Sequence, residues 1–129
     1  PEDREALLQT ALLGSALFAL GSDSAPHDNK NKYCRSGCAG VFTAPVLAES
    51  LYEIFDIHKA TGNFHAFTVA NACAFYGFTH SGRKITLKRE DHFVPATAGL
   101  VDCFRGSQTI PWKLKGWWEE AKTVCEPSA

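Results

Sequence analysis

The apolar positions between residues 2 and 20 change period partway along. From Glu2 to Leu13, Leu8 and Leu12, with their neighbours Leu7, Ala11 and Leu13, recur at helical spacing, while Asp3, Arg4 and Gln9 take the other side. Pro1, Glu2 and Asp3 suit a helix start, and Gly14 offers a stop. The run Ala16 to Leu20 is apolar without alternation and predicts a strand buried on both faces, as in parallel sheets. Helix followed by buried strand is the rhythm of an α/β fold.

After Gly21-Ser22-Asp23, a polar stretch runs from Ser24 to Gly40, too long for a mere connection and therefore expected to be a functional loop. Ala44 to Thr61 predicts the next helix, with Thr43 as cap, Pro45 in the first turn, Gly62 as terminator, and Leu47, Leu51, Ile54, Phe55 and His58 on one face. Phe64 to Phe75 predicts further helix, broken near Asn71 and ending at Gly77. Lys84 to Lys88 alternates and predicts a small edge strand. Val94 to Ala129 carries Trp112, Trp117 and Trp118 but predicts no element. A single buried strand needs parallel neighbours that nothing else here supplies. The chain also starts at Pro1 and has no methionine. Both features lead us to expect a processed chain or fragment, with residues 1–129 forming one incomplete piece of a larger domain.

Composition narrows the class. A net charge of −1 gives no reason to expect nucleic acid or an anionic membrane as partner. No apolar run approaches the roughly 18 residues of a membrane span, and the run from Leu12 lacks the basic flank of a signal peptide. The five cysteines, at 34, 38, 73, 103 and 125, are odd in number and irregularly spaced. They are read as reduced thiols of a cytoplasmic protein. Cys34, Cys38 and Cys73 lack the paired spacing and fourth ligand of a structural zinc site. Cys38 is expected to pack behind the loop and Cys73 in the core. His58 is expected to be a half-buried packing residue. Lys30 and Lys32 could steer an anionic ligand or simply be solvated. Trp117 and Trp118 could form a subunit or lid contact or pack against the base of the fold.

Asp23 carries the sharpest chemistry. A carboxylate at the C-terminal end of a buried strand occupies the position where barrels of parallel strands build active sites. Beside a metal-bound water, whose pKa drops to about 7, it could take and return a proton. By position alone, Asp23 equally fits a turn or helix cap, and His27 a loop histidine.

The wider sequence adds a resemblance. GSDSAPH (21–27), GCAGVFTAP (37–45) and NACAFYGF (71–78) occur in the order in which similar motifs occur in dihydroorotases of the single-domain type, within the amidohydrolase superfamily. The likeness runs from Glu2 to Phe78, with a thinner match around Val94 to Trp112. It implies an α/β fold, the last helix-strand-loop-helix units of a metal-dependent TIM barrel. It implies that Asp23 is both a zinc ligand and the general base and acid. It implies that His27 contacts the substrate carboxylate, and that the backbone of Ala39 and Gly40 holds the substrate. The reaction implied is the reversible cyclisation of N-carbamoyl-L-aspartate to dihydroorotate, in pyrimidine synthesis. On the same resemblance, the metals would supply a hydroxide to attack the ring amide in the hydrolytic direction, and Asp23 would carry the proton to nitrogen.

This sequence departs from the family pattern. It has no His-x-His pair, and of the family's binuclear zinc ligands only Asp23 can be matched. The expected partners are therefore the N-terminal remainder of the barrel and a small-molecule substrate, with a homodimer possible. The isolated chain is expected to be inactive and to expose apolar surface along Ala16 to Leu20. Two other readings stay open: another amidohydrolase of hydantoinase or deaminase type, and a non-catalytic binding or structural domain that kept the motif.

Overall fold

A computed structural model describes residues 2–119, with side chains described through Gly116. Helices and strands are mixed, and the described residues form no closed barrel. Helix α1 (Glu2–Leu12) opens the chain. Its acidic first turn, Glu2, Asp3 and Glu5, complements the helix dipole. Only Leu12 is buried on it, while Leu7 and Leu13 stay exposed. Gly14 adopts a left-handed φ of 71°, and the Asn63 side-chain amide donates to the Leu12 carbonyl at 2.8 Å, closing the helix end.

The segment 16–20 corrects the expectation of a buried strand. It opens on a turn, closed by the Phe18 N–H on the Ser15 carbonyl at 3.1 Å, and pairs with no strand, and Leu17 is 91% exposed. A parallel strand exists only beside partners, and none of the described residues takes that role. Asn71 holds the segment instead, donating from Nδ2 to the carbonyls of Ser15 (2.9 Å) and Phe18 (2.7 Å). The Leu20 N–H adds a bond to the Phe67 carbonyl at 2.9 Å. Of the exposed apolar surface expected along Ala16 to Leu20, Ala16, Leu17 and Ala19 are exposed, while Phe18 and Leu20 are half-buried.

Within the polar loop lies a one-turn helix, α2 (Asn29–Lys32). A 3₁₀ turn, Ala44–Val46, leads into α3 (Leu47–Ile57). Thr43 occupies the cap position of that turn but makes no side-chain cap bond, so the expected capping role is corrected. Helix α3 also ends earlier than expected. Lys59 takes the left-handed conformation (φ 56°), and the N–H groups of His58, Lys59 and Ala60 close onto the carbonyls of Ile54, Asp56 and Phe55. His58 is consequently exposed at the helix end, not half-buried. The next helical stretch passes through a π-helical turn (Ala66–Ala70) into α4 (Asn71–Tyr76), and left-handed Gly77 terminates it as expected.

Strands β1 (Arg83–Phe93) and β4 (Thr109–Glu119) form an antiparallel pair, far longer than the expected small edge strand. Between them, β2 (Thr97–Ala98) and β3 (Val101–Asp102) make a small hairpin. Val46, Val94 and Ile110 form a buried cluster with Cys103 against it. An aromatic chain joins α3 to β4. Tyr52 sits edge-on to Trp112 (4.6 Å) and to Phe64 (5.0 Å), and Phe64 meets fully buried Phe55 (5.4 Å). Arg105 and Glu53 pair in a largely buried contact, and the Leu114 N–H donates to buried Glu49 Oε1 at 3.3 Å. Among the described residues, no helix is long and apolar enough to cross a membrane. The side chains of Trp117 and Trp118 lie outside the described ones.

Candidate functional site

Two loop segments separated by the polar stretch come together. Ser24 pairs with Val41 in a parallel bridge, and the Ala25 N–H donates to the Val41 carbonyl at 3.0 Å. Ser24 Oγ accepts from the Ala44 N–H at 3.0 Å, tying the same turn to the entrance of α3. Phe42 bridges in parallel to Cys103, and the Phe104 N–H donates to the Phe42 carbonyl at 2.9 Å. Short parallel contacts thus link residues 24–25, 41–42 and 103–104. They hold the turn carrying Asp23 and His27 against the loop carrying Ala39 and Gly40.

Asp23 is exposed and has a φ of 41°, in the left-handed region that non-glycine residues seldom occupy. Among the described residues its carboxylate makes no hydrogen bond or ion pair. The cap that polar loops draw from aspartate is supplied by Asp28 instead, whose Oδ1 accepts from the Asn31 N–H at 2.8 Å. Pro26 lies within a tight turn closed by the His27 N–H on the Ala25 carbonyl at 3.0 Å, which leaves His27 half-buried.

Gly40 explains its own identity. Its φ is 115°, and a Cβ there would stand 2.5 Å from Ala25 Cβ. Only glycine allows the two segments to approach this closely. Lys32 donates its ammonium to the Gly40 carbonyl, so of the two lysines considered for steering, Lys32 serves the loop while Lys30 is exposed. Cys38 is exposed rather than packed behind the loop, and Cys73 is half-buried rather than in the core.

Sequence reading missed the groups that fasten this loop from afar. Asp102 Oδ1 accepts from Asn29 Nδ2 at 2.8 Å, and Asp102 Oδ2 accepts from the Tyr33 hydroxyl. The Tyr33 bond, then the Asn29 bond, holds the Asp102 carboxyl below its ordinary range, with the Lys32 charge adding a little. The same bond raises the Tyr33 phenol. The Ser36 hydroxyl lowers the Cys34 thiol. The partners of Asp102 lie 73 and 69 residues away in sequence, beyond the reach of periodicity or motif spacing.

The described residues do not hold a metal by themselves, since no three of their His, Cys, Asp or Glu side chains converge. Asp23 offers one ligand position only. A cleft of about 530 Å³ lies elsewhere, with Tyr52, Phe64, His65, His80 and Leu87 in its walls, and none of Asp23, His27, Ala39 or Gly40 lines it.

No family profile matches the chain. Individual proteins do. A dihydroorotase of Synechococcus sp. (strain CC9605) is 39% identical over 111 residues, which is 86% of this chain and 32% of that protein. A mitochondrial dihydroorotase of Arabidopsis thaliana is 36% identical over 115 residues, 85% of this chain and 30% of its own. Among solved structures, the dihydroorotase of Saccharomyces cerevisiae in complex with 5-fluoroorotic acid superposes with a TM-score of 0.83 at 26% identity. That match covers 92% of this chain and 35% of the yeast chain. The Campylobacter jejuni dihydroorotase superposes with a TM-score of 0.75 at 32% identity, over 89% of this chain and 34% of that one. The chain therefore spans about a third of the length of the relatives it matches. Through its motifs, its identity to these proteins over most of its length and its likeness to their structures, the chain belongs to the dihydroorotase family.

Proposed function

We propose that this chain is the C-terminal part of a dihydroorotase, contributing one wall of an active site that converts N-carbamoyl-L-aspartate to dihydroorotate and back. The observation that carries this reading is the contact of the Asp23–His27 turn with the Ala39–Gly40 loop, made by the Ser24–Val41 pairing and the Ala25–Gly40 approach. It puts a free carboxylate, an imidazole and loop backbone within one small region, the groups needed for a cyclic amide bearing a carboxylate.

Each group has a role consistent with its surroundings. Asp23 takes a proton as base and returns it to the ring nitrogen as acid; an exposed carboxylate without a partner is available for that transfer. His27 binds the substrate carboxylate; it follows Asp23 by four residues, on the turn closed by its own N–H on the Ala25 carbonyl. Ala39 and Gly40 offer backbone groups that no side chain shields. A zinc centre of the kind the resemblance implies would take one ligand from Asp23 and the others from outside the described residues. When bound, it would polarise the amide carbonyl.

The remainder of a TIM-barrel domain is the partner proposed to cover the apolar surface at Leu17, Phe75 and Tyr76, all well exposed. A cytoplasmic location is proposed on the free thiols of Cys34, Cys38, Cys73 and Cys103, although the name of the Arabidopsis relative places that protein in mitochondria. The deciding experiment offers the full-length protein carrying this sequence dihydroorotate, a hydantoin and an aminopurine. Turnover of dihydroorotate alone is expected. Turnover of either of the others without dihydroorotate would refute the assignment.

A further inference from the structure

We infer that Asp102 is a positioning residue for the substrate loop, acting through α2 and Lys32 on Gly40; this rests on the dihydroorotase reading above. Helix α2 has four residues, too few to hold itself in water. Its stability must come from outside, and residues 100–102 supply it. Asp102 spends one oxygen on Asn29, the first residue of α2, and the other on Tyr33, which caps its end. The Asn29 N–H adds a bond to the Leu100 carbonyl at 2.8 Å. Asn29 Oδ1 is buried and has no partner among the described residues, so the side chain makes its one bond to Asp102.

With α2 gripped at both ends, Lys32 is delivered to the Gly40 carbonyl, and the Cys38 N–H reaches the Asn31 carbonyl at 3.3 Å. The next residues, Cys103 and Phe104, hold Phe42 just beyond the loop. Residues 100–104 therefore fasten both sides of the Cys38–Gly40 loop. Gly40 has a φ of 115° and no side chain to anchor it, so its orientation depends on these outside contacts. Lys32 fixes the carbonyl side of that residue, and Asp102 fixes Lys32.

The test uses the full-length protein with three substitutions, Asp102→Asn, Lys32→Met and Lys32→Arg, and steady-state kinetics on dihydroorotate. Loss of a substrate-holding contact common to ground and transition state raises KM and spares kcat, so the first two should raise KM about tenfold with kcat within about threefold. Lys32→Arg keeps a cationic donor and should recover most of the KM. If Asp102→Asn fails to fold, Lys32→Met decides, because it leaves both Asp102 hydrogen bonds in place and breaks the link from α2 to Gly40. An unchanged KM in a folded Asp102→Asn or in Lys32→Met, a loss confined to kcat, or a Lys32→Arg variant as impaired as Lys32→Met would each overturn the inference. A wild-type protein that does not turn over dihydroorotate would refute the dihydroorotase reading instead, and the inference would fall with it.

Discussion

Gly40→Ala is the substitution whose cost can be worked most fully from the coordinates. The new Cβ would stand 2.5 Å from Ala25 Cβ, against an ordinary carbon–carbon contact of about 3.5–4.0 Å. One segment must therefore give way by roughly 1 Å, and overpacking of this kind costs about 1–3 kcal/mol. The φ of 115° adds a second penalty, since a side chain in such a region costs about 1–3 kcal/mol. Because Gly40 is exposed, part of the overlap will relax, and a net destabilisation of about 2–4 kcal/mol is expected. The two parts can be separated. Ala25→Gly removes the opposing carbon, so in the double variant the steric part returns and the backbone part stays. Urea unfolding of the four proteins in a double-mutant cycle should give a coupling of about 1–3 kcal/mol. A coupling within about 0.5 kcal/mol of zero would refute the close approach of the two loops. KM for dihydroorotate should rise in Gly40→Ala and partly recover in the double variant.

Three further outcomes follow from the structure. His27→Ala should raise KM for dihydroorotate more than it lowers kcat, measured by initial rates; an unchanged KM would count against the carboxylate contact. Phe55→Ala should cost about 3–5 kcal/mol in a denaturant melt, because Phe55 is fully buried against Phe64 and Phe67, and a loss below about 1 kcal/mol would contradict that packing. Glu90 is held at about 2, first by its hydrogen bond to Lys115 and then by Lys113. Its folded value is depressed, so its contribution is present above the ordinary carboxylate value of about 4.3 and is lost as pH falls from there through about 2. Glu90→Gln should flatten the melting temperature of the protein over that window, and an unaltered slope would rule the contribution out.

What the sequence made legible was local. α1 and the end of α4 at Gly77 follow from short-range periodicity and terminator chemistry, and the structure keeps both. The segment 16–20 pairs with no strand because its apolar composition states a need for neighbours that the described residues do not supply, and Leu17 stays exposed as that need implies. The end of α3 shifted because Lys59 took the left-handed position expected of Gly62. β1 and β4 were largely hidden because bulges between Thr86 and Leu87, and between Arg89 and His92, switch the side chains from one face to the other and erase alternation. At the site, the motif residues Asp23, His27, Ala39 and Gly40 were visible as motifs, but their fastening was not. Asp102, Tyr33 and Asn29 belong to no motif and meet only through the fold.

The most direct measurement is the rate of the Asp23→Asn variant of the full-length protein on dihydroorotate, with binding of orotate measured alongside. Asp23 is exposed and its carboxylate has no partner among the described residues, so its replacement should leave the melting temperature nearly unchanged; zinc content is measured alongside, because Asp23 is also the proposed metal ligand. Losing the proton-transferring group should lower kcat by about 10²–10⁴-fold. A variant that folds, binds orotate and turns over dihydroorotate at close to the wild-type rate would contradict the assignment of Asp23 as the catalytic carboxylate.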